Sequence, residues 1–351
     1  MLPYYFLFAT SVLLISASAI RPERERVGID PILWPILLVA LALFAGLRGA
    51  GIDRDYDNYA SWFDSLRNGA DWLDYIKDPA FVLLARATIV TGLPPSVLFL
   101  IFAVCAVASK YVFAKAAAPS TTWRWLFLLI ICRFFVVHDM TQIRAAVAIP
   151  LASLAIIKIR EDHTKSAILL VIVATIFHIS AGLYAPLLLL VKWRRWILGP
   201  RRLWVMVLCG LLAFALQGVI MGLLSVVAPE RLAPYFDGSY GTVAVSFLNI
   251  NFLSKLAVFL YLTGFAWQRL SEWNRVVLLM VTIGITIQIT FLWNDAIALR
   301  GAELFGLFDM VMYMIPITLL ARSEKYLYAM AIAMMMGIFY FSSLRLVGPY
   351  F

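Results

Sequence analysis

Long runs of apolar residues recur along the whole chain and constrain its fold more than any other feature of the sequence. Residues 2–20 and 31–47 are two examples. Runs of this length suit membrane-spanning α-helices, whereas a membrane barrel would show shorter alternating segments. Only 14% of the residues are charged, against about 25% in soluble domains. The sequence therefore predicts an all-α, polytopic membrane protein.

The apolar runs predict about 11–13 transmembrane or half-membrane helices, because two of the runs are interrupted. One interruption is the segment Thr91–Pro95, whose two prolines break a helix, and the other surrounds His178. No linker separates the runs, so we expect residues 1–351 to form a single integral membrane domain. The predicted runs are 2–20, 31–47, 80–109, 121–137, 141–158, 166–191, 203–228, 246–267, 276–293, 303–320 and 326–343.

The distribution of basic residues predicts the orientation of these helices. Cytoplasmic loops are rich in Lys and Arg. With residues 166–191 as two half-helices, the loops on one face hold 18 of the 29 Lys and Arg residues. The net charge of +9 then reflects topology rather than nucleic-acid binding. The arginines follow the first apolar run, so this run is expected to be a retained helix with its N-terminus outside. The assigned cytoplasmic loops are 21–30, 110–124, 158–165, 192–202, 268–275 and 321–325.

This topology places two longer loops, residues 48–78 and 229–245, on the outer face. Within the first loop, residues 59–76 carry apolar side chains at helical spacing with charged residues between them. The pattern predicts an amphipathic helix that lies in the membrane interface. The alternative is an aromatic belt at the end of an ordinary helix. The apolar positions are Tyr59, Trp62, Phe63, Leu66, Leu73 and Ile76.

Four candidate binding or catalytic residues fall on the same outer face: Arg48, Arg144, His178 and Arg300. The planar guanidinium of arginine suits bidentate binding of phosphate oxygens, so three arginines predict a diphosphate site. Each arginine alone could equally snorkel to the membrane interface. His178 could be a general base or a phosphate donor, or it could hydrogen-bond a carbonyl of the helix break.

The aspartates Asp53, Asp55 and Asp57 alternate, as in motifs that hold a divalent cation for sugar-nucleotide transfer. Nucleotide sugars are cytoplasmic, so an outer loop favours either a solvated acidic segment or a carboxylate that activates a sugar hydroxyl. The other histidines, His138 and His163, are expected in loops without a role. Neither the scattered histidines nor the three cysteines predict a metal site.

These residues resemble the EpsG-like branch of the Wzy-type polymerases of O-antigen, capsule and exopolysaccharide repeat units. The resemblance begins with a helix that ends in arginine and continues with an Asp-x-x-x-Tyr-x-x-x-Phe stretch. An acid-Pro-x-Phe step, an Ile-Arg-x-x-x-Ala helix start, a Phe-His-x-Ser-Ala break and a late arginine follow in order. The matching residues are Arg48, Gly51, Asp55, Tyr59, Phe63, Asp78, Pro79, Phe81, Ile143, Arg144, Ala148, Phe177, His178, Ser180, Ala181 and Arg300.

The resemblance implies a GT-C-like glycosyltransferase of the bacterial inner membrane that acts at the periplasmic face, as in lipopolysaccharide synthesis. It would join repeat units carried on undecaprenyl diphosphate, without cofactor or metal. Donor and acceptor glycans, membrane lipids and a chain-length regulator protein would be its partners, and nucleic acid would not. Arg48, Arg144 and Arg300 would bind the diphosphate leaving group. The base would be His178, Asp55 or Asp53, and Tyr59 and Glu303 would contact sugar or the loop.

Three other functions remain open from the sequence. A flippase for the same lipid-linked oligosaccharide should show repeated halves with matching broken helices, and no convincing repeat is visible. A membrane acyltransferase should carry a histidine–acid pair on the cytoplasmic side or at mid-membrane. A ligase that moves the finished glycan to lipid A core would use similar chemistry and similar residues.

Overall fold

The computed structural model describes residues 2–20, 23–53, 55–71, 78–119, 122–227 and 249–344. Within these ranges the chain forms helices joined by short turns and contains no β-strand. The predicted second outer loop, residues 229–245, lies outside the described residues. Residues 72–76 of the predicted amphipathic helix lie outside them as well.

The described chain divides into two compact units, one of residues 1–189 and 326–351 and the other of residues 190–325. The single membrane domain expected from the sequence stays a prediction. In the first unit, α2 packs against α5, α5 against α7, α7 against α8, and α1 against α6. Its helices are α1 (Leu2–Ile20), α2 (Glu23–Gly46), α3 (Tyr56–Arg67), α4 (Pro79–Val90), α5 (Pro95–Ala117), α6 (Trp123–Phe134), a π-helix (Phe135–Thr141), α7 (Ile143–Arg160), α8 (Thr164–Phe177), a 3₁₀-helix (Ile179–Leu183) and the start of α9 (Tyr184–Lys192).

The second unit is built around one long helix, α14, which packs against α11, α15 and α16, while α13 packs against α16. Most of α17 belongs to the first unit, because residues from 326 onward are assigned to it. The remaining helices are α10 (Arg194–Ile197), α11 (Pro200–Ala215), α12 (Gln217–Val227), α13 (Ile250–Gly264), a 3₁₀-helix (Trp267–Arg269), α14 (Glu272–Thr290), α15 (Asp295–Glu303), α16 (Gly306–Leu319) and α17 (Arg322–Leu344).

Four described helices are long and apolar enough to cross a membrane: Pro3–Ile20, Pro95–Ala117, Glu272–Thr290 and Arg322–Leu344. The pair α15 and α16 is bent by 61° and would add a fifth span if it is counted as one. Five further apolar helices have 10–17 residues, a length typical of half-membrane elements. The predicted all-α, polytopic membrane fold is confirmed.

Both interruptions predicted from the sequence are present. The first separates α4 from α5, and its Gly92 has a φ of 69°, a left-handed conformation that glycine adopts without a steric penalty. Pro95 then occupies the first turn of α5, where a missing N–H costs nothing. At the second interruption, α8 ends at Phe177 and His178 adopts an extended backbone. These breaks place polar residues at helix ends instead of inside apolar helices.

A helix is present in this segment but is shorter than the predicted amphipathic helix, whose position in the membrane interface stays a prediction. The α3 helix spans Tyr56–Arg67 and buries Tyr59, Phe63 and Leu66, whereas the sequence predicted residues 59–76. It ends because Gly69 has a φ of 88°, with its N–H bonded to Leu66 O and the next N–H bonded to residue 65. These two hydrogen bonds form a Schellman motif, which terminates a helix.

Several predicted boundaries are wrong for one physical reason: polar residues were assigned to loops although they are paired inside helices. Lys110 was assigned to a cytoplasmic loop but lies within α5, and Arg124 lies in α6 and pairs with Asp30. His138 was expected in a loop and is buried in the π-helix. Arg300 was expected in the segment before a helix but lies within the separate helix α15.

A buried ion pair connects α5 to the π-helix in the first unit. The Nζ of Lys110 lies 2.6 Å from Oδ2 of Asp139, and both side chains are completely buried. Removing one partner of a buried pair leaves the other charge without compensation, at a cost of about 3–5 kcal/mol. The pair is therefore the strongest polar constraint between these two elements.

We expect Lys110→Met to lower the thermal stability of the purified protein strongly, because Asp139 is then buried without a cation. The double variant Lys110→Met with Asp139→Leu should recover most of the loss, since no unpaired charge remains. Melting temperatures in one detergent, measured for wild type and the variants, test this. A double variant as unstable as the single one would contradict it.

Close packing of α2 on α5 depends on Gly46. A Cβ at this position would lie 2.5 Å from the Cα of Leu100, a backbone atom that cannot move alone. We expect Gly46→Ala to cost about 1–3 kcal/mol of stability through overpacking, visible as a lower melting temperature. The control is Gly337→Ala in α17, where a Cβ meets nothing within 4 Å and should leave stability unchanged or higher. Equal melting temperatures for both variants would contradict this expectation.

Candidate functional site

One carboxylate joins two of the predicted site residues in the first unit. Asp78 accepts an ion-paired hydrogen bond from Nη1 of Arg144 on Oδ2, and its Oδ1 lies 3.1 Å from Nδ1 of His178. We call these three residues the Asp78 cluster. They come from separate parts of the chain, since Asp78 is 66 positions from Arg144 and 100 from His178.

Local sequence explains how each member reaches the cluster. Asp78 precedes Pro79, which occupies the first turn of α4, and the carboxylate of Asp78 makes no capping bond to that helix. Arg144 is the second residue of α7. His178 stands at the break after α8, where its backbone is extended. All three side chains therefore project from helix ends, where they can point toward one another.

The accessibility of the cluster increases from the carboxylate outward. The side chains of Asp78, Arg144 and His178 are exposed by 8%, 18% and 29% respectively. Because a carboxylate accepts hydrogen bonds, Nδ1 of neutral His178 carries the proton and Nε2 carries the lone pair. The arrangement is that of a base held in one tautomer by an acid, with a cation beside it.

An aromatic wall borders the cation of the cluster. It consists of Tyr59, Trp62 and Phe81, whose ring centroids lie 5.6–5.8 Å apart. The guanidinium of Arg144 lies over Trp62 at 4.8 Å and over Tyr59 at 5.4 Å from the ring centroids. Cation–π contacts of this kind hold the guanidinium in one plane. Aromatic side chains with a few polar groups are typical of ligand sites.

Tyr59 also offers a hydroxyl to the cluster. Its oxygen lies 3.5 Å from Nε of Arg144. Burial raises the pKa of the Tyr59 phenol, and the positive charge of Arg144 opposes that rise. The hydroxyl is therefore protonated at neutral pH and can donate a hydrogen bond.

Arg48 and Asp53 form a second, more deeply buried ion pair. The Nε of Arg48 lies 2.5 Å from Oδ2 of Asp53, and Nη1 donates to the carbonyl of Ala45 at 2.8 Å. The guanidinium lies over the rings of Phe99 and Tyr56 at 5.0 and 5.8 Å. Its Nη2 is buried and makes no hydrogen bond within the described residues. Arg48 thus anchors the start of the loop and keeps one donor unused.

The alternating aspartates have different environments. The Oδ1 of Asp53 accepts the backbone N–H of Asp55 at 2.9 Å, so Asp53 holds the loop that leads into α3. Asp55 stands at the N-terminus of α3 without a side-chain capping bond, and it is half-buried. Asp57 is exposed in the first turn of that helix. Across the described part of the chain, no three His, Cys, Asp or Glu side chains are grouped so that they could hold a metal ion.

Arg300 and Glu303 belong to the second compact unit. Both lie on α15, whose N-terminus is capped by Asn294 through a 3.0 Å bond to the N–H of Ile297. Arg300 is exposed and Glu303 is half-buried. The structure thus brings together Arg144 and His178, and separately Arg48 and Asp53, all within the first unit.

Asp78 is the site residue that reasoning from the sequence missed. It appeared in the acid-Pro-x-Phe step of the resemblance but was given no chemical role. The signal was the position of Asp78. An acidic residue directly before a helix-starting proline can cap the helix, or its carboxylate can bind another part of the protein. The partner of that carboxylate depends on the packing of α4 beside α7 and α8.

Comparison with known proteins gives one informative result. The model of the EpsG family matches residues 31–350, which is nearly the whole chain. No curated protein and no solved structure matches the chain. The match covers the Asp78 cluster, the Arg48–Asp53 pair, and Arg300 with Glu303. The chain belongs to the EpsG family, which supports a glycosyltransferase-type role in polysaccharide polymerisation.

Proposed function

We propose that this member of the EpsG family is a polysaccharide polymerase that joins lipid-linked oligosaccharide repeat units. The donor and the acceptor would both be carried on undecaprenyl diphosphate. We place the enzyme in the bacterial inner membrane with its active site facing the periplasm, as the distribution of basic loops predicts. A chain-length regulator protein would be a further partner.

One observation carries the proposal: Arg144 and His178 meet at Asp78 beside an aromatic wall. Glycosyl transfer from a lipid diphosphate needs a cation for the leaving group and a base for the acceptor hydroxyl. Arg144 supplies the cation and His178 supplies the base. The half-buried ring of Trp62 offers an aromatic surface for a sugar ring.

The transfer step follows from these roles. An oxygen of the acceptor sugar attacks the anomeric carbon of the donor and forms the new glycosidic bond. The bond from that carbon to the diphosphate breaks, and its electron pair leaves with the lipid diphosphate. The hydroxyl proton passes to Nε2 of His178. Arg144 stabilises the negative charge that grows on the diphosphate.

The other predicted site residues take supporting roles in the proposal. Asp55 keeps the role of base or sugar contact that the resemblance implies. The carboxylate of Asp53 is engaged by Arg48 and by the backbone N–H of Asp55. Arg48 could reach a diphosphate through its unused Nη2 after a local rearrangement. The roles that the resemblance implies for Arg300, a diphosphate ligand, and for Glu303, a contact with sugar or the loop, stay predictions.

The decisive experiment uses the purified protein in lipid nanodiscs. The substrate is the lipid-linked oligosaccharide that accumulates in cells lacking this protein, supplied without ATP or nucleotide sugar. We expect a ladder of products that differ by one repeat unit, separated on a gel. Wild-type protein that gives no ladder would contradict the proposal.

The same assay distinguishes the polymerase from two of the alternative functions, the ligase and the flippase. A ligase would transfer glycan to added lipid A core and would make no ladder from repeat units alone. A flippase would move the lipid-linked unit across the bilayer of a vesicle without forming a new bond. Either result in place of the ladder would replace the proposed function.

A further inference from the structure

The carboxylate of Asp78 is shared between a cation and a base. One oxygen is taken by Arg144 and the other faces His178. The side chain is 8% exposed, so water screens these interactions little. The positive charge of Arg144 offsets part of the carboxylate's charge, so the attraction between Asp78 and a protonated His178 increases when Arg144 moves away.

The hydrogen-bond donors of Arg144 are directed at different partners, and one of its nitrogens can donate to a phosphate. Its Nη1 donates to Asp78 and its Nε faces Tyr59, so Nη2 is committed to neither. A diphosphate carries more negative charge than one carboxylate and accepts two parallel hydrogen bonds from a guanidinium. A bound diphosphate therefore competes with Asp78 for Arg144.

We propose that Asp78 is a positioning residue that couples binding of the lipid diphosphate to activation of the base. When a diphosphate engages Arg144, the Arg144–Asp78 pair loosens and the carboxylate acts mainly on His178. The imidazolium that forms on proton transfer is then stabilised by Asp78. His178 becomes an effective base only when a leaving group is in place. This inference rests on the proposed function, since it uses the same two reacting partners.

The coupling has a chemical consequence for the enzyme. The positive charge of Arg144 close to Asp78 weakens the support that the carboxylate gives to a protonated His178. Before the donor binds, proton abstraction from an acceptor hydroxyl or from water is disfavoured. After binding, both the charge on the leaving group and the proton on the base are stabilised by separate partners.

Nuclear magnetic resonance can test the coupling directly, because the chain has only three histidines. Full-length protein labelled with ¹⁵N-histidine is placed in nanodiscs, and His178→Gln identifies the signals of His178. Farnesyl diphosphate is the probe, and farnesyl monophosphate is the comparison. We expect His178 with its proton on Nδ1, and a downfield shift of that proton when the diphosphate is added.

Variants separate coupling from a merely structural role. In Asp78→Asn the response to farnesyl diphosphate should disappear and the tautomer should move toward Nε2–H. Asp78→Glu should restore part of the response. In Arg144→Gln the shifted signal should be present before the probe is added. The matched control is Asp57→Asn, an exposed aspartate on α3, which should behave as wild type.

The kinetic counterpart for Asp78→Asn is a fall in kcat of about 10²-fold. The KM for the lipid donor should also fall, because the diphosphate no longer competes with a carboxylate for Arg144. No shift of His178 in wild type at a saturating probe concentration, or no binding of the probe, overturns the coupling. An equal shift in Asp78→Asn overturns it as well. A product ladder without the shift of the His178 proton would overturn the coupling but support the polymerase function. The shift of that proton without a product ladder would overturn the polymerase function and support the coupling.

Discussion

Arg144→Ala should lower the rate of polymer formation by about 10²–10³-fold, the loss typical when one stabilising donor is removed from a developing anion. The guanidinium lies over the rings of Tyr59 and Trp62, so its plane is set before substrate arrives. Such preorganisation is what makes a cation effective in a transition state. We expect the loss mainly in kcat/KM, because the same guanidinium binds the ground-state diphosphate.

Two further variants sharpen the test of Arg144. Arg144→Lys keeps the charge but loses the planar fork, so its activity should lie between those of wild type and alanine. Arg67→Ala removes an exposed arginine from the end of α3 and serves as the control with wild-type activity. The readout is the initial rate of ladder formation at several lipid-donor concentrations. If Arg144→Ala and Arg67→Ala had equal rates, Arg144 would have no role with the leaving group.

His178→Gln should reduce kcat by about 10²–10⁴-fold, the usual contribution of a positioned general base. Glutamine keeps a hydrogen-bonding side chain of similar size but cannot accept the hydroxyl proton. The lipid donor should still bind with nearly unchanged affinity, since Arg144 remains. The fall should therefore appear in kcat rather than in KM.

His163→Gln is the matched control for the base. Its side chain is 64% exposed, lies next to Glu161, and stands at the opposite end of α8 from His178. Its kcat should equal that of wild type. A His178→Gln enzyme that keeps wild-type kcat would move the base to another residue, and Asp55→Asn would then be the variant to measure.

Much of the helical layout could be predicted because hydrophobicity along the chain is a local property. The proline interruption after α4 and the break at His178 were both foreseen. The boundaries failed where charged residues lie inside helices, as Lys110 does in α5. A charged residue inside an apolar run predicts a loop as long as its partner is unknown. The partner of Lys110 is Asp139, which lies 29 residues away along the chain.

The candidate site was partly predictable for a different reason. Arg144 and His178 stood out because ionisable residues beside apolar helices are costly and seldom without purpose. Arg48 and Asp53 also stood out, but the structure pairs them with each other in a buried position. No sequence pattern shows that the guanidinium of Arg48 is buried while that of Arg144 is partly accessible. The difference arises because Arg48 packs against Tyr56 and Phe99.

The sequence by itself determined that this protein is a helical, multi-pass membrane protein, because so apolar a chain must satisfy its backbone hydrogen bonds inside helices. It also determined the family, through short motifs that occur in a fixed order along the chain. Only the tertiary structure decided that Asp78 connects Arg144 to His178. Those contacts span 66 and 100 residues. They exist because the starts of α4 and α7 lie close to the end of α8, which no local pattern encodes.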